Sequence, residues 1–299
     1  FGSVLWASVC APVLRGLERL LPASTYCGLL YPVAWVRALL HGWIKGPPPV
    51  AQPAGLPGLR PARATVLYRL PIYLNRTFEF LPDRLAAPKW SGHCRFHGFD
   101  PVKRLTDAGR PVILAFVHFG PFVLLRNWLR AAGIPVAMFA GGEARSRAPL
   151  KLRKDRWALF PEVALTFYQD ELADAIRHLE SGRALGIAID SGSGRQMRVP
   201  AGEGWRCQLA TGPIRLARRH GAVLVPCAIY NESAWRLAVE FGPPVSEETL
   251  AAGDVPAGAA IMASLMPILL AHPEAWTPQL GGRFSRVPEP PVDARKTDR

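Results

Sequence analysis

Cysteine is scarce in this chain of 299 residues, and its five cysteines include no Cys-x-x-Cys pair. Disulfide frameworks and structural zinc sites rest on an even number of suitably spaced cysteines, so neither is expected, and a reducing compartment fits best. His93 and His97 flank Cys94, but no partner cluster accompanies them and no metal site is predicted. The five cysteines are Cys10, Cys27, Cys94, Cys207 and Cys227.

The chain is also short of acidic residues and lacks a series of long apolar runs. It has 36 Lys and Arg against 23 Asp and Glu, a formal net charge of +13, and 49% hydrophobic residues. The apolar fraction excludes a disordered chain, and the missing series of runs of about 18 residues excludes a polytopic membrane protein. A basic and apolar protein suits an anionic membrane surface or anionic substrates. A GC-rich genome, which favours Arg, is the alternative explanation.

Residues 1–44 differ in composition from the rest of the chain. Leu20–Val36 is an uncharged run of 17 residues. That length is the lower limit for a membrane span, and Pro22 and Pro32 disfavour a straight helix. Tryptophans that suit a membrane interface stand at Trp6, Trp35 and Trp43. We predict a membrane-associated helical segment, either a hairpin in one leaflet or a poor single span; a buried helical pair capping the core is the alternative.

Three further regions follow. Residues 45–63 form a linker rich in Pro and Gly, residues 64–285 have a globular pattern, and residues 286–299 form a charged, Pro-rich tail that is predicted to be disordered. Within 64–285, helical and strand patterns alternate, which predicts an α/β domain with a mixed, largely parallel sheet flanked by helices. The predicted strands are Pro111–His118, Ile134–Ala140, Val163–Tyr168, Ala184–Asp190, Val223–Tyr230 and Trp235–Phe241, with a short extended piece at Arg95–Phe99. The predicted helices are Arg69–Phe80, Pro101–Ala108, Phe122–Ala132, Asp170–Glu180, Thr211–Gly221 and the wholly apolar Ala257–Ala271.

His118 and Asp190 each end a predicted buried strand. Sites in such sheets lie at the carboxyl ends of the strands, so these two side chains are the first candidates for chemistry. His118 is a candidate base for a hydroxyl proton, and the alternative is a structural histidine. Gly120 lets a substrate approach the backbone closely, and its N–H is a candidate oxyanion donor.

Two basic segments are candidates for binding anionic groups. Glu143–Arg156 carries six basic residues, including Arg145 and Lys151, and the loop after Asp190 carries Arg195 and Arg198. Lipid phosphates or an acidic carrier protein suit these segments, while a solvated helix face is the alternative for the first. Arg126, about one helical turn after the block that begins at His118, is expected to line the same mouth.

Several common classes lack their motifs here. The Ser/Gly loop after Asp190 has no Gly-Lys-Ser/Thr, so nucleotide binding is rejected. Aromatic residues among the basic segments are few and no recognition motif is present, which argues against nucleic acid. The absence of Gly-x-Ser-x-Gly argues against an α/β-hydrolase.

The order of these pieces resembles a family. Over about residues 64–285 the chain is similar to the bacterial lipid A biosynthesis lauroyl/myristoyl acyltransferases, a branch of the lysophospholipid acyltransferase superfamily. The N-terminal apolar segment matches the family's membrane anchor in placement. The pieces that carry the resemblance are Phe96–Phe99, Ala108–Leu114, His118–Gly120, Asp190, Val199–Pro200, Ala210–Gly212, Leu216–Ala217, Gly221–Pro226 and His272–Trp276.

The family's signature is His-x4-Asp/Glu, and here the fifth residue after His118 is Val123. In the family the acid orients the imidazole while the histidine deprotonates the acceptor hydroxyl for attack on an acyl thioester. The missing acid has three alternative explanations. In the first, another carboxylate, Asp190 or Glu143, replaces it in space. In the second, the acceptor is a better nucleophile, such as an amine, and in the third the chain is a degenerate member that binds lipid without turnover.

The resemblance implies a glycerolipid-acyltransferase-like enzyme on the cytoplasmic face of the bacterial inner membrane. Its donor would be acyl carrier protein or coenzyme A thioester, its acceptor an anionic glycolipid or lysolipid, and it would need no metal or cofactor. The expected catalytic residues are His118, Gly120 and Asp190. The expected substrate-binding residues are Arg126, Arg145, Lys151, Arg195 and Arg198. A catalytically degenerate lipid-binding protein of the same fold is the alternative.

Overall fold

Two β-sheets and the helices around them make up the described part of the protein. The computed structural model describes residues 13–45, 78, 84–140, 166–202, 204–233 and 235–287. The strands are β1 (Cys94–His97), β2 (Val112–Phe116), β3 (Val136–Ala140), β4 (Thr166–Tyr168), β5 (Ala184–Ala188), β6 (Gln196–Pro200), β7 (Trp205–Ala210), β8 (Val223–Asn231), β9 (Leu237–Phe241) and β10 (Phe284–Arg286). Residues 13–20 are helical, and the helices after them are α1 (Ala23–Lys45), α2 (Phe99–Asp107), α3 (Leu125–Ala131), α4 (Leu172–Glu180), α5 (Gly212–His220), α6 (Glu247–Ala252), α7 (Asp254–Ala271) and α8 (Pro278–Gly281).

The large sheet has seven strands in the order β1-β9-β8-β2-β5-β3-β4. Its neighbours pair in parallel except β8 and β9, which are antiparallel. Every residue of β2 and β5 is buried, because helices cover both faces of the sheet centre and only continuous apolar runs suit such strands. The predicted mixed, largely parallel sheet is confirmed. Strands β2, β3, β4, β5 and β9 lie within their predicted ranges, β8 ends one residue later than predicted, at Asn231, and β1 begins one residue earlier, at Cys94.

The second sheet was not predicted. It is antiparallel, with the order β10-β7-β6. The loop after Asp190 was expected to continue to Pro200, but Gln196–Pro200 forms β6 and pairs with β7. Arg198 and Pro200 are exposed and Gln196 is half-buried, while Met197 and Val199 are buried. The continuous apolar run by which the other strands were identified is therefore missing.

Helix α7 is the one described helix that is long and apolar enough to cross a membrane. It packs instead against the core, with residues such as Ile261 and Leu265 fully buried. Its Gly258 lies so close to β6 that a Cβ there would meet Met197 Cε at 2.4 Å. We therefore assign α7 to the protein core.

The N-terminal helices pack on the domain through one face. Tyr26 and Cys27 are buried in the same apolar cluster as Trp90. The Glu18 carboxylate is fully buried and is bonded by Lys89 at 2.9 Å and by Arg84 at 3.0 Å. The opposite face of α1 exposes large apolar side chains, namely Leu29, Tyr31, Val33, Trp35, Val36, Leu39 and Leu40.

Some predicted features lie outside the described residues. These are the linker beyond Lys45, the helix Arg69–Phe80 apart from Phe78, the basic segment Glu143–Arg156 and the tail beyond Val287. Phe78 itself is helical and fully buried.

Candidate active site

The register of the central strands brings His118 and Asp190 together. Strands β2 and β5 are parallel neighbours, and Phe116 pairs with Ala188. His118 and Asp190 each lie two residues beyond that pair, at the carboxyl edge of the sheet. Ile189 N–H donates to the Phe116 carbonyl at 2.8 Å, so the pairing of the two strands continues to the residue immediately before Asp190.

The two side chains form a hydrogen-bonded dyad. His118 Nδ1 lies 2.8 Å from Asp190 Oδ1, with the carboxylate fully buried and the imidazole 18% exposed. The backbone N–H of His118 also donates to both carboxylate oxygens at 3.1 Å. A buried carboxylate is costly unless hydrogen bonds satisfy it, and here the histidine supplies them from both its main chain and its ring. This arrangement fixes Nδ1 as the protonated nitrogen and leaves the lone pair on Nε2.

Further contacts hold both partners in place. Arg283 Nε donates to the Asp190 carbonyl at 3.0 Å, and the Phe122 ring meets the imidazole edge-on with centroids 4.6 Å apart. Ala210 N–H donates to the Ile189 carbonyl at 2.7 Å, which links the site to the second sheet. The dyad is thus braced from three directions and its geometry is set before any substrate arrives.

Val123, at the position of the family's acid, is not part of this dyad. It lies in a short 3-10 helix, Phe122–Leu124, and its side chain is 47% exposed. The contact that a motif acid would make with the imidazole is made here by Asp190. Of the two carboxylates considered from the sequence, Asp190 is at the required distance, while Glu143 lies outside the described residues.

The segment Ala275–Thr277 clamps the turn that carries His118. Thr277 Oγ1 donates to the His118 carbonyl, and Phe119 forms an antiparallel bridge with Trp276. Trp276 is itself buried and donates its indole N–H to the Leu269 carbonyl at 2.7 Å. This gives a physical role to the closing motif of the family resemblance, because it fixes the backbone of the candidate base.

The same clamp corrects the prediction for Gly120. Its N–H donates to the Ala275 carbonyl at 2.7 Å, so the predicted free oxyanion donor is wrong. Glycine is required here for a different reason. Gly120 has φ +54°, and a Cβ would meet the Ile229 carbonyl oxygen at 2.3 Å.

The predicted arginines are spread around the sheet edge. Arg126 is buried and donates to Thr166 Oγ1 at 2.8 Å, so it supports β4 rather than lining an open mouth. Burial lowers the pKa of Arg126 to about 10. Arg195 and Arg198 are exposed and free to meet a ligand from solvent, while Arg145 and Lys151 lie outside the described residues.

Three residues near the dyad were missed from the sequence: Thr277, Gln279 and Arg283. All three lie just after His272–Trp276, a piece that was noted from the sequence only for its family resemblance. That resemblance did not indicate a role for the residues that follow it. Gln279 Nε2 lies 3.0 Å from His118 Nδ1 and 3.5 Å from His118 Nε2. Within the described residues, no group of three His, Cys, Asp or Glu could hold a metal ion.

Comparison with known proteins identifies a family. The family of bacterial lipid A biosynthesis acyltransferases matches the chain over residues 76–278. No curated protein sequence matches it significantly. Among solved structures, a 1-acyl-sn-glycerophosphate (LPA) acyltransferase from Thermotoga maritima overlaps 69% of this chain and 80% of its own, with 14% identity and a TM-score of 0.41.

An imidazole at the sheet edge, hydrogen-bonded to a buried carboxylate, has the geometry needed to remove a proton from a nucleophile. The family match covers more than half of the chain and includes every residue of the dyad. The chain therefore belongs to the bacterial lipid A biosynthesis acyltransferase family. It is an acyltransferase that acts on lipid substrates.

Proposed function

We propose that this enzyme transfers a fatty acyl group from a thioester to a hydroxyl of a glycolipid or lysolipid, with His118 as the general base. The observation that carries the proposal is the 2.8 Å contact between His118 Nδ1 and Asp190 Oδ1. That contact commits the Nδ1 proton to the carboxylate and turns the basic lone pair of Nε2 toward the substrate side. The dyad argues against a degenerate lipid-binding protein, because the acid that Val123 fails to provide comes from Asp190.

The reaction follows from this assignment. His118 Nε2 takes the proton of the acceptor hydroxyl as its oxygen attacks the thioester carbonyl carbon. The tetrahedral intermediate collapses, the carbon–sulfur bond breaks, and the imidazolium returns the proton to the departing thiolate. Asp190 stabilises the imidazolium between the two proton transfers. The products are an acyl ester and a free thiol, and no cofactor or metal takes part.

Charge suggests the donor and the acceptor. The net charge of +13 favours an acidic acyl carrier protein or the phosphates of coenzyme A as the donor's carrier. The exposed guanidinium groups of Arg195 and Arg198 follow the loop that begins at Asp190, so we assign them to phosphates of an anionic acceptor. Arg145 and Lys151 belong to a segment whose six basic residues suit the same kind of ligand.

Membrane attachment through the N-terminal helices completes the proposal. The outward face of α1 presents Leu29, Val33, Val36 and Leu40 at helical spacing, each about half exposed. A contiguous exposed apolar stripe marks a contact surface, and a lipid acceptor is found at a bilayer. We therefore place the enzyme at the cytoplasmic face of the bacterial inner membrane, with this stripe in the lipid interface.

Transfer of a radiolabelled acyl group from the thioester to a lipid extract tests the proposal. His118→Ala is expected to lower the transfer rate by about 10² to 10⁴-fold, the usual contribution of a general base. His97→Ala is the matched control, since His97 is exposed and pairs only with Glu232 in the ion pairs of the described residues. Equal activity of His118→Ala and His97→Ala would refute the mechanism.

A further inference from the structure

The turn that carries His118 uses its own backbone N–H groups to hold its shape. His118 N–H donates to the Asp190 carboxylate, and Phe119 N–H donates to the carbonyl two residues before it at 2.7 Å. Gly120 N–H donates to the Ala275 carbonyl at 2.7 Å. The proposed acyl transfer passes through a tetrahedral intermediate with a negatively charged oxygen, which is stabilised by donors already in place before the charge forms. Such donors must come from another part of the site.

Arg283 brings a positive charge to the acid of the dyad. Its Nε donates to the Asp190 carbonyl at 3.0 Å, while the Asp190 carboxylate is taken up by His118. The Arg283 side chain is half-buried and forms no ion pair with any residue in the described part of the chain. Because only Nε is used, the N–H groups on both Nη atoms remain to bind an oxygen anion, which a guanidinium does at short distance and in two-point geometry.

The guanidinium lies against the Ser/Gly loop that follows Asp190. A Cβ at Gly192 would meet Arg283 Nη2 at 2.7 Å, so the glycine leaves the space that the guanidinium fills. The backbone N–H groups of residues 191–194 donate to no acceptor among the described residues. Loop N–H groups of this kind bind oxygen anions in other proteins, and here a guanidinium stands beside them.

We propose that Arg283 and residues 191–194 form an oxygen-anion site that binds a substrate group beside the dyad. This inference rests on the proposed acyl transfer with His118 as base. As the acceptor oxygen bonds to the thioester carbon, the π electrons of the carbonyl move to its oxygen, and the site stabilises that charge until the carbonyl reforms and the thiolate leaves. A substrate phosphate has the same chemistry, so the thioester oxygen and a phosphate are the two sources to be separated.

The rate of radiolabelled acyl transfer is the first test. Arg283→Gln is expected to lower it about 10²-fold or more, the usual effect of removing one donor to an oxyanion. Gly192→Ala keeps the charge but displaces the guanidinium, so a smaller loss is expected. Arg286→Gln is the matched control, because Arg286 is exposed and its guanidinium lies over the Trp205 ring, 5.4 Å from the centroid. An Arg283→Gln protein that transfers at the parent rate would overturn the proposal.

A second test needs no turnover. His118→Ala removes the base, and infrared difference spectra record the carbonyl stretch of a bound long-chain acyl-pantetheine labelled with carbon-13 at the carbonyl. Hydrogen bonds polarise a carbonyl, so the band is expected at lower wavenumber with Arg283 than with Gln at this position. Acyl-pantetheine has no phosphate, so this shift assigns the site to the thioester oxygen.

Inorganic phosphate tests the other source. Phenylglyoxal modifies arginines, and peptide mass spectrometry follows its rate at Arg283 with Arg286 as the internal reference. Slower labelling of Arg283 alone in phosphate than in chloride of equal ionic strength, with an unshifted carbonyl band, would assign the site to a substrate phosphate. An unshifted band and an unprotected Arg283 would together overturn the proposal. A shifted band without transfer that depends on His118 would refute the proposed function instead.

Discussion

His118 is oriented by a carboxylate 72 positions further along the chain rather than by the residue five positions after it. In a histidine dyad the acid fixes the tautomer and stabilises the imidazolium, and both tasks depend on distance and not on sequence separation. Asp190 meets the distance requirement from a neighbouring parallel strand. We therefore propose that Asp190 supplies the carboxylate that the motif position, Val123, lacks.

Asp190→Asn tests this assignment at the residue scale. The amide keeps the size of the side chain but holds the imidazole in the wrong tautomer, so acyl transfer is expected to fall by about 10³ to 10⁴-fold. The assay is the radiolabelled transfer described above. Asp254→Asn is the control: Asp254 pairs with Arg215 at 2.9 Å and Arg218 at 3.0 Å, away from the dyad. Transfer by Asp190→Asn within tenfold of the parent rate would contradict the role.

Val123→Glu is expected to leave the transfer rate within about twofold of the parent, although it restores the family's motif. The side chain of residue 123 is 47% exposed, and Nδ1 of His118 is already bonded to Asp190. An exposed carboxylate at this position interacts with solvent more strongly than with the imidazole. Steady-state rates of the single variant and of Val123→Glu combined with Asp190→Asn are the measurement. A clear gain, or rescue of the double variant, would show that the motif position still acts on His118.

At the scale of elements, a buried carboxylate, that of Glu18, adds polar contacts to the apolar packing between the N-terminal helices and the domain. Burial alone would raise the pKa of Glu18, but hydrogen bonds from Lys89, Trp90 and Arg84 outweigh it, and the pKa lies below its usual value of 4.5. A lowered folded-state pKa means that the stabilisation is complete above pH 4.5 and is lost as the pH falls through the lower, folded-state pKa.

Glu18→Gln is expected to lower the free energy of unfolding by about 2 to 4 kcal/mol near neutral pH, because it leaves buried donors poorly paired. The difference between parent and variant should shrink as the pH falls below 4.5 and through the lower, folded-state pKa of Glu18. Urea unfolding over this pH range is the measurement. The exposed Glu248→Gln serves as the control and should change stability by less than about 0.5 kcal/mol. A difference that does not depend on pH would rule out the charge of Glu18 as its cause.

The elements differ in how well the sequence predicts them. Continuous apolar runs such as Val112–Phe116 and Ala184–Ala188 identify buried strands, because only a sheet covered on both faces needs them. Their adjacency in the sheet is a long-range property, and it is this adjacency that places Asp190 beside His118. Strand β6 has an exposed face with Arg198, so it lacks an apolar run and was expected to be loop. The contacts of Thr277 and Gln279 with His118 join distant segments of the chain, and no local sequence pattern records them.

At the scale of the whole molecule, the apolar residues that the composition shows in excess lie in two places, the core and one exposed surface. Helix α7, the one described helix that is long and apolar enough to cross a membrane, is used to build the core. The exposed apolar surface is concentrated on α1, whose small buried residues Ala34 and Ala38 face the domain while larger side chains face outward. A helix that is apolar on both faces has two apolar partners, and the domain is one of them. We infer that a lipid bilayer is the other.

Vesicle binding of the full chain tests this inference. Replacing Val33, Val36 and Leu40 together by Ser removes much of the exposed stripe without touching the buried face of α1, and binding to anionic vesicles is expected to weaken about tenfold or more. The matched control replaces Leu172, Val255 and Leu270 by Ser, because these exposed apolar side chains lie on other helices. Co-sedimentation with vesicles and urea unfolding separate lost affinity from lost stability. If the stripe variant and the control bind equally well, α1 is not the membrane contact, and the basic surface alone must hold the enzyme to anionic lipid.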